Sequence, residues 1–191
     1  MSRPDDPVPI LDALREDLDT GFAGLYDAYR VYVHTVALRA TGSPADAEDL
    51  TAETFLRAYR SLISTRPPDL DTLQPRAWLL TIALNTLRND RRTKARKPPP
   101  GPLDNAPDRC DPTQNPARAA EQNETARELA ARLALLPERQ REAVVLRHVL
   151  DLPIAEIAQV LGVPEGTAKS HVSRGLAALR VHHREAVNAA R

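Results

Sequence analysis

An all-α fold of two small helical domains joined by a proline-rich linker, with a helix-turn-helix in the C-terminal domain, is what the sequence predicts. Apolar residues recur at helical spacing, strand signals are nearly absent, and prolines gather between two periodic blocks. At 191 residues the chain has room for one ordinary domain or two small ones.

The first block supports three helices. Leu25, Tyr29, Val33 and Val36 fall at i, i+4, i+8 and i+11, one face of a helix. Thr41-Gly42-Ser43-Pro44 stops it; Ser43 can cap the next helix, with Pro44 at its first position. That second helix runs from about Pro44 to Leu62 and carries Leu50, Phe55, Leu56 and Tyr59, until Arg66-Pro67-Pro68 breaks it. A third starts near Pro75 and carries Trp78, Leu79, Ile82 and Leu87.

Pro98, Pro99, Pro100, Pro102, Pro107, Pro112 and Pro116 then interrupt any period. Proline lacks a backbone donor and fixes φ, so residues 98–116 read as an extended linker. The expected division is an N-terminal extension over 1–19, a first domain over 20–97, the linker, and a second domain over 117–191. A tether of that length leaves the two domains free to sample many separations.

In the second block one helix spans about Ala117 to Leu136, and Pro137 opens another that ends near Leu150. Ile154, Ile157, Ala158 and Leu161 mark a short third helix, Gly162 ends it, and Pro164 starts the last one. On that last helix Ala168, Val172, Leu176 and Leu179 share one side, while Thr167, Ser170, His171 and Arg174 point the other way. Hydroxyls, an imidazole and a guanidinium in one outward stripe suit base edges and phosphates in a major groove. Lys169 and Ser173 flank the stripe within reach of phosphates. A helix-turn-helix fits; a plain helical hairpin fits the apolar positions but does not need the polar stripe.

Composition excludes several classes. Lys+Arg and Asp+Glu both total 26, so a plain polybasic nucleic-acid coat is out. The single cysteine, Cys110, rules out an internal disulfide framework and a thiolate metal cage, and fits a reducing compartment. The polar, acidic start and the lack of a long apolar run lead to the expectation of a cytoplasmic protein without signal peptide or membrane insertion. No phosphate-binding loop, dinucleotide fingerprint, zinc-protease helix or nucleophile elbow occurs, and His34, His148, His171, His182 and His183 lack metal-ligand spacing. The reading is therefore no enzyme, no cofactor and no metal.

Charge is segregated although it sums to zero. No base falls between Arg39 and Arg57, where Asp46, Asp49 and Glu53 take positions i, i+3 and i+7 on one helix face. This is either a solvated face or a dock for a basic partner. Arg88, Arg91, Arg92, Lys94, Arg96 and Lys97 are opposed only by Asp90. They favour a helix C-terminus, and they also suit phosphate contact.

These motifs resemble a known family. Asp46-Ala47-Glu48-Asp49-Leu50-Thr51-Ala52-Glu53-Thr54-Phe55-Leu56-Arg57-Ala58-Tyr59 is similar to the second conserved region of the extracytoplasmic-function (ECF) RNA polymerase sigma factors of the sigma-70 superfamily. Pro75-Arg76-Ala77-Trp78-Leu79-Leu80-Thr81-Ile82-Ala83-Leu84-Asn85 and Arg88-Asn89-Asp90-Arg91-Arg92 resemble its promoter-melting part. Leu136-Pro137-Glu138-Arg139-Gln140-Arg141 and Glu156-Ile157-Ala158, with Leu161 through His171, resemble the fourth region.

The resemblance implies core RNA polymerase (the clamp helices of its largest subunit and its flap) and promoter DNA as partners, and an anti-sigma factor as a frequent one. Asp46, Asp49 and Glu53 would contact the clamp helices, with Leu50 and Phe55 in the core or in an apolar patch beside them. Asn85, Arg88, Asn89, Arg91 and Arg92 would face the minus-ten element. Glu165, Thr167, Lys169, Ser170, His171 and Arg174 would read the minus-thirty-five element. The loop from Ser61 to Gln74 is where the family captures a flipped base, with no single residue assigned; Trp78 is core or a stacking surface. Thr51-Ala52, Leu84 and His171 depart from the residues common in the family, Leu84 suggesting a different minus-ten face. The alternative is a stand-alone helix-turn-helix regulator, which predicts DNA binding without polymerase and a symmetric operator.

Overall fold

The computed structural model describes residues 7–96 and 128–189. The proline-rich linker, Cys110, and the expected helix between Ala117 and residue 127 lie outside the described residues. Eight helical segments follow in order: α1 Val8–Glu16, α2 Leu18–Thr41, α3 Pro44–Leu62, α4 Pro75–Arg96, α5 over 128–134, α6 Glu138–His148, α7 Ile154–Leu161 and α8 Glu165–Ala189. No strand occurs among the described residues.

Local chemistry sets the helix ends. Gly42 closes α2 at φ 72°, in the left-handed region where glycine carries no Cβ penalty. Ser43 then caps α3, its hydroxyl accepting from the Asp46 amide at 3.3 Å. α1 is a helix the apolar period did not reveal, inside the expected extension. Its backbone lies so close to α2 that a Cβ at Gly21 would stand 2.4 Å from the Leu14 nitrogen.

Helices α2, α3 and α4 bury Leu25, Tyr29 and Val33 against Phe55, Ala58, Leu79 and Ala83. Phe22 and Tyr26 meet Phe55 and Tyr59 edge-on at 4.7–6.3 Å between ring centroids. Thr51, Thr54 and Thr86 are buried as well, and each returns its hydroxyl to the carbonyl four residues back, at 2.7–2.9 Å. Leu50 and Phe55 are both core, which settles the choice left open for them.

In the second block, α6 and α8 approach closely because Gly175 has no side chain; a Cβ there would meet Val144 Cγ2 at 2.6 Å. Arg141 ends α5 by donating to the carbonyls of Leu133, Ala134 and Leu136 at 2.9–3.0 Å. Its burial and the neighbouring Arg91 charge lower its pKa from the ordinary arginine range.

The blocks do not sit apart, contrary to the expectation drawn from the tether. Val36, Ala77, Leu80 and Leu84 share one buried cluster with Leu133, Leu136, Leu146, Ile157, Val160 and Leu161. The physical reason is the composition of α4, whose second apolar face needs a cover that α2 and α3 do not supply. Leu84 is therefore core, 2 % exposed, and not part of an altered minus-ten surface in this arrangement.

Candidate nucleic-acid interface

Two helices present the groups expected to meet DNA. On α4, Asn85, Arg88, Asn89 and Arg92 fall at i, i+3, i+4 and i+7 and form one stripe, with Arg91 to its side. Asn85, Asn89 and Arg92 are exposed. Arg88 is not free: its Nε and Nη2 donate to the two carboxylate oxygens of Glu142 on α6 at 3.0 and 2.7 Å, and its Nη1 donates to Asn85 Oδ1 at 2.9 Å. Arg91 donates to the Ala40 carbonyl at 2.9 Å and lies 3.5 Å from Glu138. So the expected DNA-facing cations of α4 divide into Arg92, exposed, and two that are engaged by α6.

On α8 the outward stripe forms as expected. Glu165, Thr167, Lys169, Ser170 and Arg174 are exposed, while Ala168 and Val172 are buried on the opposite side. His171 departs from the expectation of an outward imidazole: it is half-buried, and its Nδ1 is buried without a hydrogen-bond partner. It sits where the stripe curves toward the core, next to Val172. Gly162 at φ 64° makes the turn between α7 and α8.

The acidic face lies on α3. Asp46 and Asp49 are exposed, and Glu53 pairs with Arg57 at 2.6 Å one turn on. A cavity of about 300 Å³ opens between the loop before α4 and α4 itself, lined by Pro68, Asp69, Thr72, Leu73, Gln74, Trp78 and Thr81. Gln159 of α7 completes its wall. Trp78 packs half-buried against the first core, the core role left open for it, and also lines the cavity.

Three residues that fasten the elements around the site escaped the sequence reading. Arg76 donates to both oxygens of Glu156 on α7 at 2.7 and 2.6 Å and lies over the Tyr32 ring at 5.6 Å. Glu142 is 4 % exposed. A carboxylate among Ala143, Val145 and Leu146 demands a cationic partner, and that was the available signal. Arg15 of α1 ties down the loop, donating to Asp71 at 2.7 Å and to the Leu70 carbonyl at 3.2 Å; nothing in its local pattern announced this.

Among the described residues no group of His, Cys, Asp and Glu could hold a metal ion, and no helix is long and apolar enough to cross a membrane. An all-α chain with a helix-turn-helix whose outward stripe is polar, a separate basic helix and a separate acidic face defines a DNA-binding transcription protein with a protein partner.

The comparisons with known proteins name the family. Residues 25–97 match Sigma-70 region 2 and residues 126–179 match Sigma-70, region 4. The ECF RNA polymerase sigma factor SigL of Mycobacterium tuberculosis is 33 % identical over 160 residues, 82 % of this chain and 85 % of that one. SigE of Mycolicibacterium smegmatis is 35 % identical over 151 residues, 78 % of this chain but 56 % of the relative. The fold is shared with CnrH, solved in complex with the cytosolic domain of CnrY, at TM-score 0.68 and 22 % identity over 96 % of this chain and 99 % of that one. The sigma factor RpoE of Bartonella quintana, solved with the anti-sigma factor NepR, gives TM-score 0.54 and 22 % identity over 86 % and 95 %. The chain belongs to the ECF sigma factors of the sigma-70 family. Sigma factors are non-catalytic initiation factors that give RNA polymerase its promoter specificity.

Proposed function

We propose a division of labour over three surfaces, in a protein that acts in the cytoplasm. Asp46, Asp49 and Glu53 on α3 dock on basic side chains of core polymerase. Asn85, Arg88, Asn89, Arg91 and Arg92 on α4 hold the minus-ten element while its strands separate, and a base drawn out of the stack enters the cavity beside Trp78. Glu165, Thr167, Lys169, Ser170, His171 and Arg174 on α8 read the minus-thirty-five element in the major groove. A partner of the anti-sigma class, such as RpoE carries in its solved complex, is part of the same reading.

The observation that carries it is the outward stripe of α8, five exposed polar residues mounted on a helix-turn-helix. The test is transcription from a genomic fragment library by core polymerase reconstituted with this chain, with start sites mapped. A shared pair of upstream elements at the mapped starts is the expected result. DNA binding at a symmetric operator with no transcript above core alone would replace the reading with a stand-alone regulator.

A further inference from the structure

The loop between α3 and α4 has no core of its own: from Ile63 to Gln74 no residue is buried. Its position therefore rests on polar ties, because a segment without buried apolar contacts opens at little cost. Within the loop, Asp69 closes a tight turn. Its carboxylate accepts from the Asp71 amide at 3.0 Å and from the Thr72 hydroxyl at 3.2 Å, and its carbonyl accepts from the Thr72 amide at 3.3 Å. The turn has two edges. Asp69, Thr72, Leu73 and Gln74 line the cavity beside Trp78, whereas Leu70 and Asp71 are not among its lining residues. This second edge is the one Arg15 holds, with Nη2 donating to the Leu70 carbonyl at 3.2 Å and to Asp71 Oδ1 at 2.7 Å. Nη1 of the same guanidinium donates to Asp12 Oδ1, one turn back on α1, at 2.5 Å, so the fork is held in aim from its own helix. The platform behind it is firm: Leu11 and Leu14 are buried, and the close approach at Gly21 seats α1 on α2.

We propose that α1 positions the base-capturing loop: Arg15, acting through Asp71 and the Leu70 carbonyl, keeps the cavity wall preformed from its outer side. This role rests on the function proposed above. Drawing a base out of the stack costs unstacking, and a wall that must be ordered at the same moment adds to that cost. A wall already held in place removes the addition. Arg15 is a positioning residue, since its side chain is outside the cavity lining and acts only through the turn. A guanidinium suits the task because one planar fork serves a carboxylate on its own helix, a carboxylate on the loop and a backbone carbonyl together. An ammonium offers the charge without the fork. The Arg15 and Asp71 side chains are 40 % and 82 % exposed, so the pair adds little to overall stability. Its effect is on where the loop stands, and it is read in base capture rather than in folding.

The experiment uses core polymerase reconstituted with the full chain, and a single-stranded non-template oligonucleotide carrying the minus-ten element mapped in the transcription test. Abasic sites placed one at a time along that element identify the captured base as the position whose removal weakens binding most, by about tenfold. Arg15→Ala should weaken binding of the intact oligonucleotide about three- to fivefold and leave binding of the one abasic at that position unchanged, so the two losses are non-additive. Asp71→Asn should reproduce part of the loss, and Arg15→Lys, which keeps the charge facing Asp71, should recover part of it. Arg15→Ala and Asp71→Asn change net charge in opposite directions, so a common loss separates loop positioning from simple electrostatics. Affinities that follow net charge overturn the proposal. So does an Arg15→Ala loss that is equal on intact and abasic oligonucleotides, as a merely structural role would give, or no loss on either. Failure of the functional reading shows separately, in the unaltered chain: if no abasic position stands out there, base capture falls and the role of Arg15 falls with it.

Discussion

The last turns of α4 and the first half of α8 look alike as sequence, each a polar stripe with basic side chains on an amphipathic helix, yet the fold treats them oppositely. On α4 the guanidiniums of Arg88 and Arg91 are drawn inward to Glu142 and Glu138, and the apolar residues beside them are sealed under another block. On α8, Lys169 and Arg174 are exposed and make no ion pair among the described residues. The difference comes from the second face of each helix. That of α8 is satisfied within its own block by α6 and α7, whereas that of α4 finds its cover only across the chain. A cation is free or engaged according to where the neighbouring leucines go.

The sharpest way to break this contrast is to truncate one residue on each helix and compare. Arg88→Ala leaves Glu142 buried with only Arg139, 3.6 Å away, as partial compensation. Urea unfolding should show a loss of about 3 kcal/mol, the order measured when one member of a buried pair is removed. A loss below about 1 kcal/mol would mean that the pair contributes little to closure. Leu84→Ala tests the apolar half of the contact: a leucine 2 % exposed should cost about 2–3 kcal/mol, with calorimetry as the check. If the blocks were independent, this change would leave the unfolding of the second block untouched; coupled blocks shift together.

Lys169→Ala belongs to the other side of the comparison. Stability should stay within about 0.5 kcal/mol. Binding of the holoenzyme to promoter DNA should weaken for all sequences alike, with the salt slope reduced by about one. Fluorescence titration at several salt concentrations measures this, and a slope equal to that of the unchanged protein removes Lys169 from the phosphate contacts. The smallest effect concerns acid. Asp17 caps α2 by accepting from the Thr20 amide at 2.7 Å, and these hydrogen bonds lower its pKa below the usual carboxylate value. A carboxyl whose pKa is lower in the folded state adds stability above its unfolded value and loses it as pH falls through the folded one. Asp17→Asn should therefore lose a small part of the stability near neutrality and flatten the same part of the decline below about pH 4, as urea unfolding across pH would show.

Much of the architecture was legible because it is local. Ser43-Pro44 and the Gly42 before it carry a helix stop and start in three residues, and α3 begins at Pro44 as their chemistry requires. The buried face of α2 and the turn at Gly162 were readable for the same reason. The acidic face of α3 and the stripe of α8 followed from helical spacing, with His171 the exception because its position borders the buried side. The pairing of the blocks was not legible: Arg76 and Glu156 are 80 residues apart, and no period or motif connects them. Leu84 could be seen as an unexpected apolar residue, but only the partner surface explains it. Glu142 offered a signal, a charge among apolar neighbours, but nothing local identified its partner.

Gly175 separates what α8 says from how α8 is held. With a Cβ there only 2.6 Å from Val144 and 3.1 Å from the Gln140 carbonyl, the helix can keep its place on α6 only while that position stays bare. Its roll about its own axis, and hence the compass bearing of Thr167, Ser170 and Arg174, is fixed from behind by a residue that reads nothing. The outward letters can then be exchanged one at a time without retuning the mount, which makes α8 an address that can be rewritten while its reading frame stays put.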